Sequence, residues 1–108
     1  MSKDAPILEI ATLDVKPGEC AAFECAFAQA SDIISSMPGY ITHELQRCIE
    51  NDQRYVLLVK WQTLEHHTTG FRGSPQYQQW RQLLHHFYDS FPAVEHYRLV
   101  NTAKTVTN

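Results

Sequence analysis

The spacing of apolar residues changes several times along the chain, and each change predicts a new element of secondary structure. Short stretches rich in β-branched and aliphatic side chains predict strands, whereas apolar residues that recur in steps of three and four predict amphipathic helices. The predicted order is strand, helix, strand, strand, short helix, helix and strand. These elements cover residues 7–15, 19–37, 40–49, 54–61, 64–71, 75–88 and 93–100.

Residues that break or cap regular structure stand between these elements. Pro38 and Gly39 end the first helix, because proline cannot continue the hydrogen-bond ladder and glycine lets the chain turn. Thr63 can cap the short helix, and Ser74 followed by Pro75 is a typical helix start. The boundary residues therefore support the order inferred from periodicity.

This order, βαββαβ, predicts an α+β fold of the ferredoxin-like kind, with two helices on one face of a four-stranded antiparallel sheet. In the third strand, residues 55–59 (YVLLV) are apolar on both alternations. A sheet with one face in water should alternate apolar and polar residues, so something must cover the second face. A second copy of the chain, packed sheet to sheet, is the simplest cover, although a ligand or another domain could also serve.

The composition is that of one globular domain. The chain has 108 residues, 44% of them hydrophobic and 19% charged, so we expect a single domain over residues 1–108 with a core at 7–100 and a polar tail at 101–108. The net charge of -3 offers no basic surface to nucleic acid. No apolar run approaches the ~18 residues of a membrane span, and the N-terminal residues do not resemble a signal peptide. We therefore expect a cytoplasmic protein.

The residue types favour binding over hydrolysis. Cys20, Cys25 and Cys48 match no zinc or redox spacing, and we expect them to be reduced thiols. The sequence has no phosphate-binding glycine loop, no Gly-x-Ser-x-Gly motif, no evident pair of carboxylates and no predicted metal site. It is instead rich in histidines and aromatic residues, a set that suits a planar aromatic or phenolic ligand.

Polar residues at the edges of the apolar faces are the candidate functional residues. His67 should face inward, because it stands three residues after one apolar helix position and four before another. Arg81, Tyr77 and His85 lie at the margin of the last helix's apolar stripe, where they could line a cleft between helix and sheet. The alternative is that Arg81 and His85 extend to water. His96, in the last strand, is either a satisfied core residue or a polar group in a pocket.

Several short segments share their pattern with one known family. They are residues 15–18 (VKPG), 37–40 (MPGY), 60–67 (KWQTLEHH), 71–74 (FRGS) and 91–97 (FPAVEHY). In these segments the chain resembles the antibiotic biosynthesis monooxygenase family, and the resemblance covers roughly residues 7–100. It implies a ferredoxin-like homodimer whose two sheets form a barrel, the dimeric α/β-barrel fold, in agreement with the cover expected over the third strand.

The resemblance also implies a chemistry and a place for it. Some family members oxidise phenolic polyketides or quinols with dioxygen, without flavin, metal or heme. In those members a tryptophan at the end of the third strand and an arginine on the last helix help to hold the substrate. Trp61 and Arg81 stand in similar places, and His67 is by position a third member of such a site. From the residues alone, core packing is the alternative for Trp61.

Other relatives bind and degrade heme, and this chain departs from their pattern. Those relatives use an asparagine in the first strand and a histidine that follows the tryptophan. Here Ile10, Ala11 and Phe71 stand in the corresponding places. Heme iron would therefore have no protein ligand unless His67 took that role.

The leading hypothesis is a cofactor-independent monooxygenase that acts on a small phenol, quinol or similar carbon acid. Such a substrate reduces dioxygen once it is deprotonated, so the protein has to bind it, desolvate it and take a proton. We expect His67 or His96 to be the base, and Arg81 to stabilise the phenolate or enolate. The remaining substrate contacts are expected from Trp61, Phe71, Tyr77 and His85.

Two alternatives stay open. One is a non-catalytic ligand-binding or stress-related dimer, since a fold does not assign an activity. The other is an isomerase or decarboxylase of the same barrel type. In each case we expect a homodimer and a small aromatic ligand, with neither nucleic acid nor a membrane as partner.

Overall fold

The computed structural model describes residues 5–103 and contains the predicted order of elements. They are β1 (Ile7–Asp14), α1 (Cys20–Ser35), β2 (Tyr40–Arg47), β3 (Arg54–Trp61), a π-helix (His66–Phe71), α2 (Pro75–Leu84), a 3₁₀ turn (His85–Phe87) and β4 (Ala93–Arg98). Of the predicted tail, residues 101–103 have no regular structure and residues 104–108 lie outside the described residues. Among residues 5–103, no helix combines the length and the apolar character that crossing a bilayer requires.

The four strands form one antiparallel sheet in the order β2-β3-β1-β4. β1 lies inside the sheet, where Ile7 is opposite Trp61 of β3 on one side and opposite Arg98 of β4 on the other. The buried residues of α1 and α2 join those of the sheet in one core cluster. The ferredoxin-like α+β fold is therefore confirmed, and within one chain the sheet is open.

The core lies between the helices and one face of the sheet. On β1, Ile7, Ala11 and Leu13 are buried at alternate positions, as the two-residue period of a strand requires. The helices contribute apolar residues spaced by three and four, which brings them onto one side of each helix. The buried residues of α1 and α2 are Phe23, Phe27, Ala30, Ile34, Trp80 and Leu84.

The opposite face of the sheet, which we call the open face, carries the residues that made the third strand unusual. Val56 and Leu58 of β3 lie there, with Leu8 and Ile10 of β1, since each alternates with core residues of its own strand. All four are half-buried. Within residues 5–103 no helix belongs to this side, so none of the described helices covers the open face.

Some boundaries differ from the prediction. β2 ends at Arg47, and Ile49, which was predicted to lie within it, is 92% exposed. The short helix is a π-helix, in which the N–H of Arg72 donates to the carbonyl of His67 at 3.1 Å. The last helix is shorter than expected, because α2 ends at Leu84 and a 3₁₀ turn follows it.

Two turns adopt backbone conformations that favour glycine. Gly18, before α1, has φ of 80°, and Gly39, between α1 and β2, has φ of 83°. A Cβ atom at Gly18 would meet nothing within 4 Å, whereas one at Gly39 would overlap the imidazole of His66. The Gly39 carbonyl also accepts a hydrogen bond from the N–H of Gln62 at 2.8 Å. The Gly39 turn is therefore packed against the end of β3 and the π-helix.

We expect Gly39→Ala to destabilise the fold more than Gly18→Ala. Both variants carry the strain of a left-handed alanine, about 1–2 kcal/mol, but Gly39→Ala must also displace His66. The difference in free energy of unfolding should be at least about 1 kcal/mol. Urea unfolding followed by circular dichroism measures it, and equal losses would show that the Gly39 turn is not packed against His66.

Candidate functional site

A cavity lies between the helix-covered face of the sheet, the π-helix and α2. Its volume of about 340 Å³ is in the range of small-molecule pockets, roughly 300–1,000 Å³. Much of its wall is apolar, and the polar side chains that line it are Glu9, His67, Arg72, Tyr77, His85 and Tyr88. Within residues 5–103, no group of three or more histidine, cysteine, aspartate or glutamate side chains is arranged to hold a metal ion.

A buried carboxyl group stands on β1 in the wall of this cavity. Glu9 occupies the core side of the strand and is 5% exposed. The indole Nε1–H of Trp61 donates a hydrogen bond to Glu9 Oε1 at 2.9 Å. In the sheet, Glu9 is opposite Val59 on β3 and opposite His96 on β4. Three strands of the sheet therefore fix the position of the carboxyl group.

His67 joins Glu9 to His96. Its side chain is buried on the π-helix, and its Nε2 lies 3.4 Å from Glu9 Oε1. Its Nδ1 lies 2.8 Å from Nε2 of His96, in a hydrogen bond whose donor depends on the tautomers of the two rings. Trp61 stacks on the His67 ring, with centroids 5.5 Å apart and planes at 22°. We refer to Glu9, His67 and His96 together as the triad.

Two helix caps that the sequence predicts determine where the helices that carry these side chains begin. Thr63 Oγ1 accepts a hydrogen bond from the N–H of His66 at 3.2 Å, just before the π-helix carries His67 inward. Ser74 Oγ accepts from the N–H of Tyr77 at 3.2 Å and starts α2. Both caps satisfy N–H groups that have no partner inside a helix.

Burial opposes charge throughout the triad. It raises the pKa of Glu9 above its ordinary value of 4.5, although the Trp61 hydrogen bond and the charge of Arg72 act in the opposite direction. Burial, followed by the charges of Arg72 and His96, lowers the pKa of His67 from 6.5 to about 3. Burial and then Arg72 also lower the pKa of His96. At neutral pH both imidazoles are therefore neutral, and each can donate one hydrogen bond and accept another.

The structure brings most of the predicted site residues together. His67 and Phe71 line the cavity from the π-helix, and the Trp61 ring packs against Phe71 with centroids 5.8 Å apart. Tyr77 and His85 line it from α2 and the 3₁₀ turn, with their rings 6.3 Å apart. These four positions line the cavity, whereas Trp61 and His96 adjoin it through their contacts with Phe71 and His67 and do not line it.

Arg81 is the predicted site residue that the structure places elsewhere. Its side chain is exposed on α2 and does not line the cavity, which matches the alternative in which it extends to water. The physical reason is that Trp80 points into the core, and adjacent helical residues diverge by about 100°. Arg72, directly after the π-helix, lines the cavity instead.

Glu9 and Arg72 are the two charged residues of the cavity that the sequence patterns did not single out as site residues. For Glu9 a signal was present, because a charged side chain stands at a core position of the first strand and must find partners there. For Arg72 there was none. Its place depends on the wide turn of the π-helix, which apolar periodicity does not predict.

Comparison with known proteins identifies the family. The sequence profile of the antibiotic biosynthesis monooxygenase family matches residues 6–83, from just before β1 into the last turn of α2. The chain belongs to this family, as its short sequence segments had indicated.

Individual relatives agree with this assignment. The chain is 55% identical over 92 residues to the uncharacterized protein YczJ of Bacillus subtilis strain 168, a match over 85% of this chain and 97% of the relative. It is 38% identical to a Bordetella bronchiseptica protein named for the same family, whose crystal structure gives a TM-score of 0.87 over 90% of this chain and 99% of that one. The cofactor-independent oxygenase SnoaB of Streptomyces nogalater, at 20% identity and a TM-score of 0.72, covers 93% of this chain and 96% of its own, and shares the fold alone.

The lowered pKa of His67 makes stability depend on pH. The unfolded chain binds a proton at His67 near pH 6.5, and the folded protein only near pH 3. Stability should therefore fall as the pH drops from 6.5 towards 3, and His67 should have no such effect above 6.5. Between pH 7 and pH 4 we expect the wild-type protein to lose about 3 kcal/mol more than His67→Gln, which cannot titrate.

Urea unfolding at both pH values measures this difference. His86→Gln is the matched control, because His86 is exposed and does not line the cavity. It should behave as the wild-type protein does. An equal loss of stability in the wild-type protein and His67→Gln would contradict the neutral, buried state of His67.

Proposed function

We propose that this protein is a cofactor-independent monooxygenase that oxidises a small phenol, quinol or related carbon acid with dioxygen. The observation that carries the proposal is a carboxyl group buried among aromatic rings in the wall of a small cavity. Family membership and the fold shared with SnoaB support it. Because such a substrate supplies its own electrons once ionised, the protein has to provide a base, a positive charge and a dry aromatic cavity.

Glu9 is the base in this proposal, in place of His67 or His96. The two ring nitrogens of His67 face Glu9 Oε1 at 3.4 Å and His96 at 2.8 Å, which leaves neither free for a substrate. Trp61 also donates to Oε1, whereas no side chain of residues 5–103 hydrogen-bonds Oε2. Since Glu9 lines the cavity, Oε2 is the oxygen that can take a substrate proton. Its raised pKa makes Glu9 a stronger base than an ordinary carboxylate.

Arg72 provides the positive charge. It lines the cavity, and its charge lowers the pKa of Glu9 and of His67, so the guanidinium lies near the triad. A phenolate or enolate that forms when Glu9 takes the proton would be stabilised by that charge. Aromatic walls for the substrate ring come from Phe71, Tyr77, Trp80 and Tyr88.

Substrate and dioxygen balance the proposed reaction without another reactant. The substrate gives up two hydrogens with their electrons. One atom of dioxygen enters the product as a carbonyl oxygen, and the other leaves as water. Glu9 takes the first proton and can return it to the peroxide that forms on the substrate carbon.

The competing functions would use the same cavity differently. Heme binding would require His67 as an axial ligand, but its nitrogens face Glu9 and His96. An isomerase or decarboxylase could use Glu9 as its base without consuming dioxygen. A non-catalytic ligand-binding protein would need only the aromatic walls. Oxygen uptake therefore separates the proposed function from all of these.

Glu9→Gln should remove most of the protein-dependent oxygen uptake with menadiol-like and anthrone-like substrates. We expect the wild-type protein to accelerate uptake above the rate without protein. General-base catalysis contributes roughly 10²–10⁴-fold, so Glu9→Gln should lower kcat at least about 100-fold. An oxygen electrode measures both rates. Glu65→Gln is the matched control, because Glu65 is exposed and does not line the cavity.

The same assay compares the two arginines. Arg72→Gln should slow uptake by about 100–1,000-fold. A larger loss in Arg81→Gln would show that Arg81, as the sequence predicted, stabilises the substrate anion. If the wild-type protein consumes no more oxygen than Glu9→Gln with any of these substrates, the monooxygenase proposal fails and the competing functions take its place.

We also propose that two copies of the chain pack through their open faces. A depression of about 990 Å³ on this side is lined mainly by apolar residues, and Tyr97 and Leu99 within it are 48% and 72% exposed. Exposed apolar patches of this kind mark interaction surfaces. The cytoplasmic location and the lack of a nucleic-acid partner stay predictions from sequence.

Leu58→Lys should convert the dimer into a monomer. It places a charge inside the open face, beside Glu44 on the neighbouring strand, so the single chain can still fold. Gln82→Lys adds the same charge at an exposed position of α2 and should leave the dimer intact. Sedimentation equilibrium at micromolar concentration measures both, and a monomeric wild-type protein would contradict the proposal.

A further inference from the structure

The triad connects the buried carboxyl group to the edge of the sheet. Glu9 lies on β1 inside the sheet, and His96 lies on β4, the edge strand next to it. Glu9 and His67 are 5% and 3% exposed, whereas His96 is half-buried. The three side chains therefore lead from the cavity wall towards solvent.

Each link of the triad is at or near hydrogen-bonding distance. The rings of His67 and His96 are joined at 2.8 Å, which is a good hydrogen bond. His67 and Glu9 are 3.4 Å apart, so a movement of about 0.4 Å would complete the second bond. Trp61 holds both sides of this link, because it stacks on His67 and donates to Glu9.

Two neutral imidazoles in this arrangement allow one concerted shift of protons. While Glu9 is ionised, Nε2–H of His67 donates to Glu9, and Nε2–H of His96 donates to Nδ1 of His67. When water gives a proton to Nδ1 of His96, Nε2–H of His96 passes its proton to Nδ1 of His67. In the same step, Nε2–H of His67 passes its proton to Glu9. Glu9 then carries a proton on Oε1, the oxygen that faces His67, and both rings carry theirs on Nδ1. A half-turn of the protonated carboxyl group exchanges its two oxygens, so the same proton can face either His67 or the cavity. The reverse shift releases one proton to water, and neither ring ends as an imidazolium.

We propose that His96 is the proton port of this site, through which Glu9 exchanges its proton with solvent by way of His67. The inference rests on the proposed function in taking Glu9 as the base. Solvent can also approach Glu9 through the cavity, but an aromatic ligand would fill that path. A port at the sheet edge lets Glu9 gain or lose a proton without using the cavity, whether the cavity is empty or occupied. His96 itself would not touch the substrate.

The groups around the triad determine which of its members is protonated. Arg72, after the π-helix, favours an ionised Glu9 and opposes a charged ring at His67 and His96. Trp61, on β3, donates to the carboxyl group and also favours its ionised form. Burial favours the protonated carboxyl group. The shift of protons along neutral rings satisfies each of these constraints.

Histidine tautomers test the inference without any turnover. In protein labelled with ¹⁵N in histidine and ¹³C at the glutamate carboxyl groups, NMR can follow Glu9 and both rings as the pH is lowered. We expect His67 and His96 to move their proton from Nε2 to Nδ1 at the same midpoint at which Glu9 becomes protonated. Rings that keep one tautomer while Glu9 titrates would overturn the proposal.

The rate of proton exchange at Glu9 tests the port itself. After a pH jump, the infrared band of the protonated carboxyl group, identified by its absence in Glu9→Gln, should appear at least about tenfold more slowly in His96→Gln. Glutamine can keep the hydrogen bond to His67 but cannot pass a proton on. His86→Gln, at an exposed histidine, should match the wild-type rate, and added imidazole should restore the rate in His96→Ala.

An unchanged rate in His96→Gln would mean that water reaches Glu9 through the cavity, and would overturn the proposal. His96→Asn is the second variant if His96→Gln does not fold. Because neither measurement uses a substrate, a protein without oxygenase activity can still show the port. Conversely, if His96 does not carry the proton, Glu9 can still be the base of the oxygenase reaction, which the oxygen electrode tests separately.

Discussion

A carboxyl group held inside the sheet constrains the rest of this structure. An unpaired carboxylate taken out of water costs several kcal/mol, so Glu9 needs partners from each element around it. Trp61 at the end of β3 supplies a hydrogen bond, and His67 on the π-helix faces the same oxygen. His96 on β4 then bonds the far side of His67. The strands and the π-helix are thus placed around one polar group in an otherwise apolar core.

This arrangement is better explained by chemistry than by stability. An apolar side chain at position 9 would fill the same space without the desolvation cost, and buried polar groups are often no more stabilising than apolar ones. The titratable groups with altered pKa values in the triad also line or adjoin the cavity, and perturbed groups of this kind gather at functional sites. A neutral His67 between Glu9 and His96 can pass a proton without holding a charge.

Local patterns predicted the fold and part of the site, and failed where distant elements meet. The two-residue period of β1, the steps of three and four in α1 and the doubly apolar β3 depend on neighbouring residues, so the sequence shows them directly. The contact between His67 and His96 depends on the register between β1 and β4, which no local pattern contains. Glu9 was missed because β1 was identified by its apolar residues alone. Its position in the two-residue alternation of β1 nevertheless predicts a side chain on the core side. Arg72 reaches the cavity because it directly follows the π-helix. Arg81 does not, because its neighbour Trp80 points into the core.

In the proposed reaction, Glu9 receives a proton from an aromatic substrate bound in this cavity. A crystal structure of the protein with menadiol bound under anaerobic conditions tests it most directly. We expect the ring to lie against Phe71 and Tyr77, which line the cavity, with one hydroxyl within hydrogen-bonding distance of Glu9 Oε2 and near Arg72. Menadiol bound on the open face, or in the cavity with both hydroxyls turned away from Glu9, would contradict it.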